Sequence, residues 1–156
     1  MLFSTPHEKL CALDAKGRVR LPSSIINELG EEKAKFFMIR AKRKKGILQV
    51  LPMEAWGKRA ERLQKIDLML EENEEYVRKQ MLGFSRVERD SSGRIQIPKH
   101  VSEKLGFEGQ LMVTAFSSLI EIWQPDRYYD YLEDEEYDME GESRSLFNNS
   151  GQNGEK

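Results

Sequence analysis

Two arginines at repeated positions raise the functional question. LDAKGRVRLP (residues 13–22) and RDSSGRIQIP (89–98) share Asp14, Gly17, Arg18 and Pro22 with Asp90, Gly93, Arg94 and Pro98, each displaced by 76 positions. Asp accepts hydrogen bonds from nearby backbone N–H groups, and Gly supplies the positive φ of a tight hairpin turn. Asp14, Gly17, Asp90 and Gly93 are therefore read as turn-shaping. No turn type requires the arginine that follows. A guanidinium grips phosphate or the guanine edge with two parallel hydrogen bonds, and a Gln amide does the same for adenine. With Val19, Leu21, Ile95 and Ile97 directed inward, alternation sends Arg18, Arg20, Arg94 and Gln96 outward. Lys16 stands at the tip of the first turn and Arg89 just before the second. A solvated strand face shows the same alternation, and the alternative to DNA reading is that bland one. Lys42, Arg43, Lys44 and Lys45 form a further basic run, read either as phosphate contacts or as a solvated loop.

The elements that must position these side chains read alike in both copies. Short strands over Lys9 to Asp14 and Arg86 to Asp90 enter the turns, and a second strand leaves each turn and stops at Pro22 or Pro98. A short helix follows each proline, with Gly30 or Gly106 placed for a left-handed C-terminal cap. FFMIR with ILQVL, and QLMVTAF with LIEIW, read as hairpins. Phe37 aligns with Val113 at the offset of 76. After an insertion, AKRKKG (41–46), Leu51-Pro52 and Trp56 align with Gln124-Pro125 and Tyr129 at 73. The expected divisions are a first repeat over 1–56, a helical linker over 57–83, a second repeat over 84–132 and an acidic, disordered tail over 133–156. The linker carries an apolar stripe of Trp56, Ala60, Leu63, Ile66 and Leu70 at helical spacing. The expected class is α+β: mainly β with peripheral helices.

Composition narrows the partner. Net charge is −2, but residues 120–156 hold 11 acids and 3 bases while residues 1–119 hold 16 acids and 22 bases. A body near +6 favours a polyanion. No apolar run approaches the roughly 18 residues of a membrane span. The N-terminus lacks a signal-peptide pattern, and Cys11 is the sole cysteine, so a cytoplasmic, nucleoid-associated protein is expected. His7 and His100 are the only histidines, and no cluster has metal-ligand spacing. No nucleophile elbow, P-loop or dinucleotide fingerprint occurs. Neither an enzyme nor a metal, cofactor or small-molecule ligand is expected.

LDAKGRVRLP followed by RDSSGRIQIP resembles the paired signature of the MraZ family, bacterial transcriptional regulators built from tandem SpoVT-AbrB-type repeats. The helical insert with NEEY and MLG and the late EIWQPDRYYDYL carry the resemblance to about residue 135. It implies a swapped-hairpin β-barrel in which two repeats interlock as a pseudo-dimer, and chains that associate into a homo-oligomeric ring. It also implies binding to double-stranded DNA with short direct repeats upstream of the cell-division and cell-wall gene cluster. Arg18 and Arg94 match the family's D-x-x-G-R arginines; Lys16, Arg20, Arg89 and Gln96 are added on physical grounds. Duplication is then expected to set two Arg-bearing turns side by side. Four phosphates neutralised through Lys16, Arg18, Arg89 and Arg94 correspond to a salt slope of about −4 per chain. The competing reading is an AbrB-type, antitoxin-like module that also holds a protein partner through Tyr128, Tyr129, Tyr131 and Tyr137.

Overall fold

A computed structural model describes residues 2–136. Two compact units are found, Met1–Pro125 and Asp126–Lys156. In the first unit the order is β1 (Phe3–Ala12), β2 (Arg18–Arg20), α1 (Ser23–Leu29), β3 (Phe36–Lys42), β4 (Ile47–Pro52), α2 (Met53–Gln64) and α3 (Glu71–Met81). It continues with β5 (Ser85–Glu88), β6 (Arg94–Gln96), α4 (Lys99–Leu105), β7 (Gln110–Ser117) and β8 (Leu119–Trp123). Helix α5 (Pro125–Glu136) begins at the last residue of the first unit and supplies the described part of the second, where the Tyr128 and Tyr129 rings meet edge to face. Tyr137 and the rest of the acidic tail lie outside the described residues.

The α+β class holds, with six strands in one antiparallel sheet ordered β1-β7-β8-β4-β3-β5 and a separate ribbon of β2 with β6. Hairpins β3–β4 and β7–β8 lie within a repeat. The pairs β1·β7, β3·β5, β4·β8 and β2·β6 join one repeat to the other. The repeats are thus interlocked: neither half contains a complete sheet. The expected barrel is not shown as a closed sheet. Its end strands β1 and β5 turn away at Gly17 and Gly93 into the ribbon, and β2 lies against β1 as β6 lies against β5.

The registers carry a pseudo-two-fold axis through the Val19↔Ile95 and Gln49↔Glu121 pairs. They also correct two alignments. Phe36↔Glu88 and Phe37↔Val87 correspond to Ala12↔Gln110 and Cys11↔Leu111, so Phe37 matches Leu111 and not Val113. Likewise Pro52 matches Gln124 and Leu51 matches Trp123. The loop after α4 is two residues shorter than that after α1, and a two-residue slip leaves every side chain on its own face. The β3–β4 connection is the four-residue turn 43–46 where β7–β8 has Ser117-Ser118, so the insertion is two residues and not the whole of AKRKKG.

Matched apolar residues from both repeats fill one core. Val19, Leu21, Ile25, Leu29 and Ile39 meet Ile95, Ile97, Leu105, Leu111 and Val113 there, all but fully enclosed. Each such side chain contributes about 1.5–3 kcal/mol of burial. Gln49 and Glu121 lie on the opposite sheet face, where Leu63 is buried as α2 packs on β3 and β4. Pro22 and Pro98 take extended ψ immediately before α1 and α4, and their carbonyls accept the first helical hydrogen bonds. Gly106 is a left-handed cap; Gly30 has positive φ but an extended ψ of 144°.

The linker divides into two helices. Of its expected stripe, Leu63 is buried, Trp56, Ala60 and Ile66 are half-buried, and Leu70 is exposed. Among the described residues, α3 buries no side chain, and Leu68, Met69 and Leu70 stand exposed before it.

Candidate nucleic-acid interface

Each D-x-x-G-R segment builds its turn from its own groups. Asp14 N donates to Arg18 O at 2.9 Å and Gly17 N to Asp14 O at 3.0 Å, with Gly17 at φ 79°. The second copy repeats this with Asp90, Arg94 and Gly93 at φ 81°. The first turn is the tighter one. A Cβ on Gly17 would lie 3.2 Å from Ile97 O and 3.1 Å from Gln96 Nε2, whereas at Gly93 the nearest atoms are 3.7 and 3.8 Å away. Both positions disfavour a side chain by φ, but only Gly17 adds a tight approach to backbone. Gly17→Ala is expected to cost about 1–3 kcal/mol and Gly93→Ala less, read as denaturation midpoints. Equal losses would show that the close approach to Ile97 is unimportant.

The aspartates do more than shape turns. Asp14 Oδ1 accepts from the backbone N–H of Lys16 and Arg18, both at 2.9 Å, while Oδ2 accepts from Arg18 Nε at 2.9 Å. Asp90 accepts likewise from Ser92 N, Arg94 N and Arg94 Nε. Each arginine is therefore held through Nε, on the side of its guanidinium away from the terminal fork. Arg94 Nη1 also reaches Asp14 Oδ2 at 3.5 Å, so the two turns share one carboxylate. Arg18 Nη1 and Nη2 make no hydrogen bond to the described residues.

These bonds also make the turns sensitive to acid. The Arg18 backbone N–H first, then the Arg18 side chain and the Lys16 N–H, hold the Asp14 carboxyl below the usual range despite partial desolvation. The Arg94 and Ser92 N–H groups and the Arg94 charge act similarly on Asp90. A carboxyl whose folded pKa lies below its unfolded value of about 3.9 stabilises the fold above that pH and loses the contribution as pH falls through the folded value. Asp14→Asn with Asp90→Asn is thus expected to flatten the fall in stability below about pH 4, measured by urea unfolding; an unchanged slope would contradict it.

Arg18 lies opposite Gln96, and Arg20 opposite Arg94. Val19 and Ile95 are fully buried between them, so the four polar side chains share the outer face. Gln96 Nε2 donates to Lys16 O at 2.7 Å and bridges to the first turn. Arg20 and Lys16 are exposed, with no side-chain ion pair to the described residues. The turns themselves are not side by side. Antiparallel pairing puts them at opposite ends of the three-residue ribbon, joined across it by Arg94 and Asp14.

Arg89 is placed differently. Its side chain is only 14% exposed, donates from Nε to Ala34 O at 2.8 Å and pairs through Nη2 with Glu31. This ties the second turn to the loop after α1. Lys42 is half-buried on β3, where burial first, and then the charges of Lys45 and Arg40, push its ammonium pKa down. Arg43, Lys44 and Lys45 are exposed. Arg43 lines a cleft with His100 and Lys104 of α4. No motif signals those two, since they come from the other repeat.

Comparison with known proteins places this geometry. The family model described as "MraZ protein, putative antitoxin-like" matches residues 5–79 and again 81–149. The chain belongs to the MraZ family. The two MraZ matches cover one repeat each, in agreement with the interlocked halves. A protein of Christiangramia forsetii named "Transcriptional regulator MraZ" is 30% identical over 129 residues, covering 83% of each chain. One of the same name from Leuconostoc citreum is 32% identical over 119 residues, covering 76% of this chain and 80% of that one. Another, from Clostridium acetobutylicum, is 30% identical over 122 residues, covering 78% and 82%.

Proposed function

We propose that the chain is a DNA-binding transcriptional regulator whose outward β2–β6 face reads the major groove. The observation that carries this is the pair of arginines anchored through Nε by aspartates in their own turns. An Arg held this way keeps the direction of its fork fixed before it meets a base or phosphate, lowering the ordering cost of binding. A two-stranded ribbon fits the major groove. Arg18, Arg94, Arg20 and Gln96 are the proposed reading groups, with Lys16 and the exposed Arg43, Lys44 and Lys45 on phosphates. Arg89 serves the scaffold in this reading, which leaves Lys16, Arg43, Lys44 and Lys45 as four phosphate contacts per chain and a salt slope of about −4. A regulator of this kind is a non-enzyme that works in the cytoplasm on the nucleoid.

The proposed target is a set of short direct repeats upstream of the protein's own gene, in the cell-division and cell-wall cluster, engaged by a ring of chains. The exposed Leu68, Met69 and Leu70 and the uncovered α3 support self-association, since exposed apolar groups at that density mark contact surfaces. Fluorescence anisotropy tests the reading: the upstream DNA is expected to bind at about 10⁻⁸ M or tighter, against roughly 10⁻⁴ to 10⁻⁶ M for a scrambled duplex. Equal affinities would refute sequence-specific regulation.

A further inference from the structure

The pseudo-two-fold axis makes the two ends of the fold comparable residue by residue, and they differ in charge. One end carries the first turn, α4 and the β3–β4 turn together. Ile97 N binds Gly17 O immediately before α4, and the registers Ala12↔Gln110, Met112↔Trp123 and Ile47↔Trp123 carry that level of the sheet around to Lys42. There a cavity of about 270 Å³ is lined by Arg40, Arg43, His100, Lys104 and Ser85 over an apolar floor that includes Ile39 and Val101, with no Asp or Glu in its wall. Glu103 is the single acid of α4, and it lies outside that lining.

At the opposite end the matching positions are not basic. Ser24 stands for His100, Glu28 for Lys104, and the Ser117-Ser118 turn for the turn that carries Arg43. Glu28 is moreover already bound, to His7 Nε2 at 2.6 Å and Ser4 N at 2.7 Å. Arg40 borders the cleft but turns its guanidinium to the other sheet face, beside Gln49. Its Nη1 donates to the carbonyls of Lys79 and Leu82 at 2.7 and 3.0 Å, and its guanidinium lies 4.3 Å over the Phe84 ring. Carbonyls and an aromatic face satisfy its hydrogen bonds without neutralising it, and burial followed by the charge of Arg59 lowers its pKa. Exposed basic side chains gathered over one cleft with no carboxylate in its wall present unopposed positive charge to a phosphate.

We infer that the cleft formed by Arg43, His100 and Lys104 is a phosphate-binding site that takes DNA backbone phosphates on one flank of the β2–β6 ribbon. It gives a nearly symmetric reading head a direction. This deepens the proposed function and rests on it. A pseudo-two-fold ribbon alone fits a site in either orientation; a phosphate clamp at one end makes one orientation tighter. Direct repeats, in which every copy points the same way, are the operator arrangement such a head distinguishes.

The test uses the full chain and a duplex from upstream of its own gene. One variant combines Arg43→Ser, His100→Ser and Lys104→Gln, all exposed positions; a second carries Lys104→Glu alone, the charge found at the equivalent position 28. Light scattering and thermal unfolding check that both remain native. In anisotropy over a salt series the triple variant is expected to show a slope shallower by about 2, with the ratio of specific to scrambled binding unchanged. Phosphate-ethylation interference is expected on one flank of each repeat with wild type, and is expected to be lost there with either variant. An unchanged slope with unchanged interference overturns the site. Saturable binding of inorganic phosphate to wild type but not to the triple variant, with the DNA slope unaffected, also overturns it, because the cleft then serves a free phosphate. Wild-type protein that fails to discriminate the upstream duplex refutes the proposed function instead, and Arg18→Ala separates the two cases by abolishing discrimination while leaving the cleft intact.

Discussion

Arg18→Ala and Arg94→Ala are each expected to remove most sequence-specific DNA binding without changing the oligomer or the fold. A well-placed bidentate contact discriminates by about 1–3 kcal/mol, roughly 5- to 150-fold per site. In an assembly that engages several repeats the loss recurs at each, so a total loss of about 100-fold or more is expected even from the low end of that range. Stability should change little, because the Arg18–Asp14 and Arg94–Asp90 pairs are half-buried at the surface and still open to solvent, and pairs that solvent screens contribute about 0–1 kcal/mol. The two substitutions differ in one respect. Arg94 also reaches Asp14, so Arg94→Ala removes a contact from the first turn as well, and its effect is expected to extend to bases read by Arg18. Arg18→Lys is not a rescue, since an ammonium cannot reproduce the anchored fork. Anisotropy on specific and scrambled duplexes, with light scattering alongside, measures all of this. Retained discrimination in both alanine variants would reduce the turns to scaffolding.

A second large effect is expected from the number of repeats in the DNA. One chain offers about four phosphate contacts, and non-specific affinities of roughly 10⁻⁴ to 10⁻⁶ M follow from contacts of that kind. Linking several heads makes each later engagement intramolecular, and avidity gains of about 10²–10⁴ arise without any new contact. A duplex with several direct repeats is therefore expected to bind at least about 100-fold tighter than one with a single repeat of equal length. Replacing the exposed Leu68, Met69 and Leu70 by serine should erase that difference if they join the chains. Equal affinity for one repeat and several would leave the proposed ring without a role in binding.

Much of the site could be read before any coordinates. The inward set Val19, Leu21, Ile95 and Ile97 and the outward set Arg18, Arg20, Arg94 and Gln96 followed from strict alternation, and each is found on the expected face. Turn chemistry was equally legible: Asp and Gly at that spacing leave few backbone paths, and both copies adopt the same one. Arg89 was not legible in this way. Its guanidinium is bound by Ala34 O and Glu31, 55 and 58 positions away, and nothing local distinguishes it from the free arginine it resembles. The cleft of Arg43, His100 and Lys104 escaped for the same reason, since its groups come from opposite repeats.

Duplication, the Asp and Gly that shape both turns, the α+β class and a resemblance to the MraZ family were legible in residue types and their spacing, whereas the anchoring of Arg18 and Arg94 through Nε was not. These depend on contacts within four or five residues, where backbone geometry allows few outcomes. Which strand pairs with which, the offsets that place Phe37 on Leu111 and Pro52 on Gln124, and the opposite-end placement of the turns belong to the folded chain. A two-residue slip preserves every inward and outward position, so a period-2 pattern is blind to it. Only the close packing of both repeats into one core selects among the slips that alternation permits.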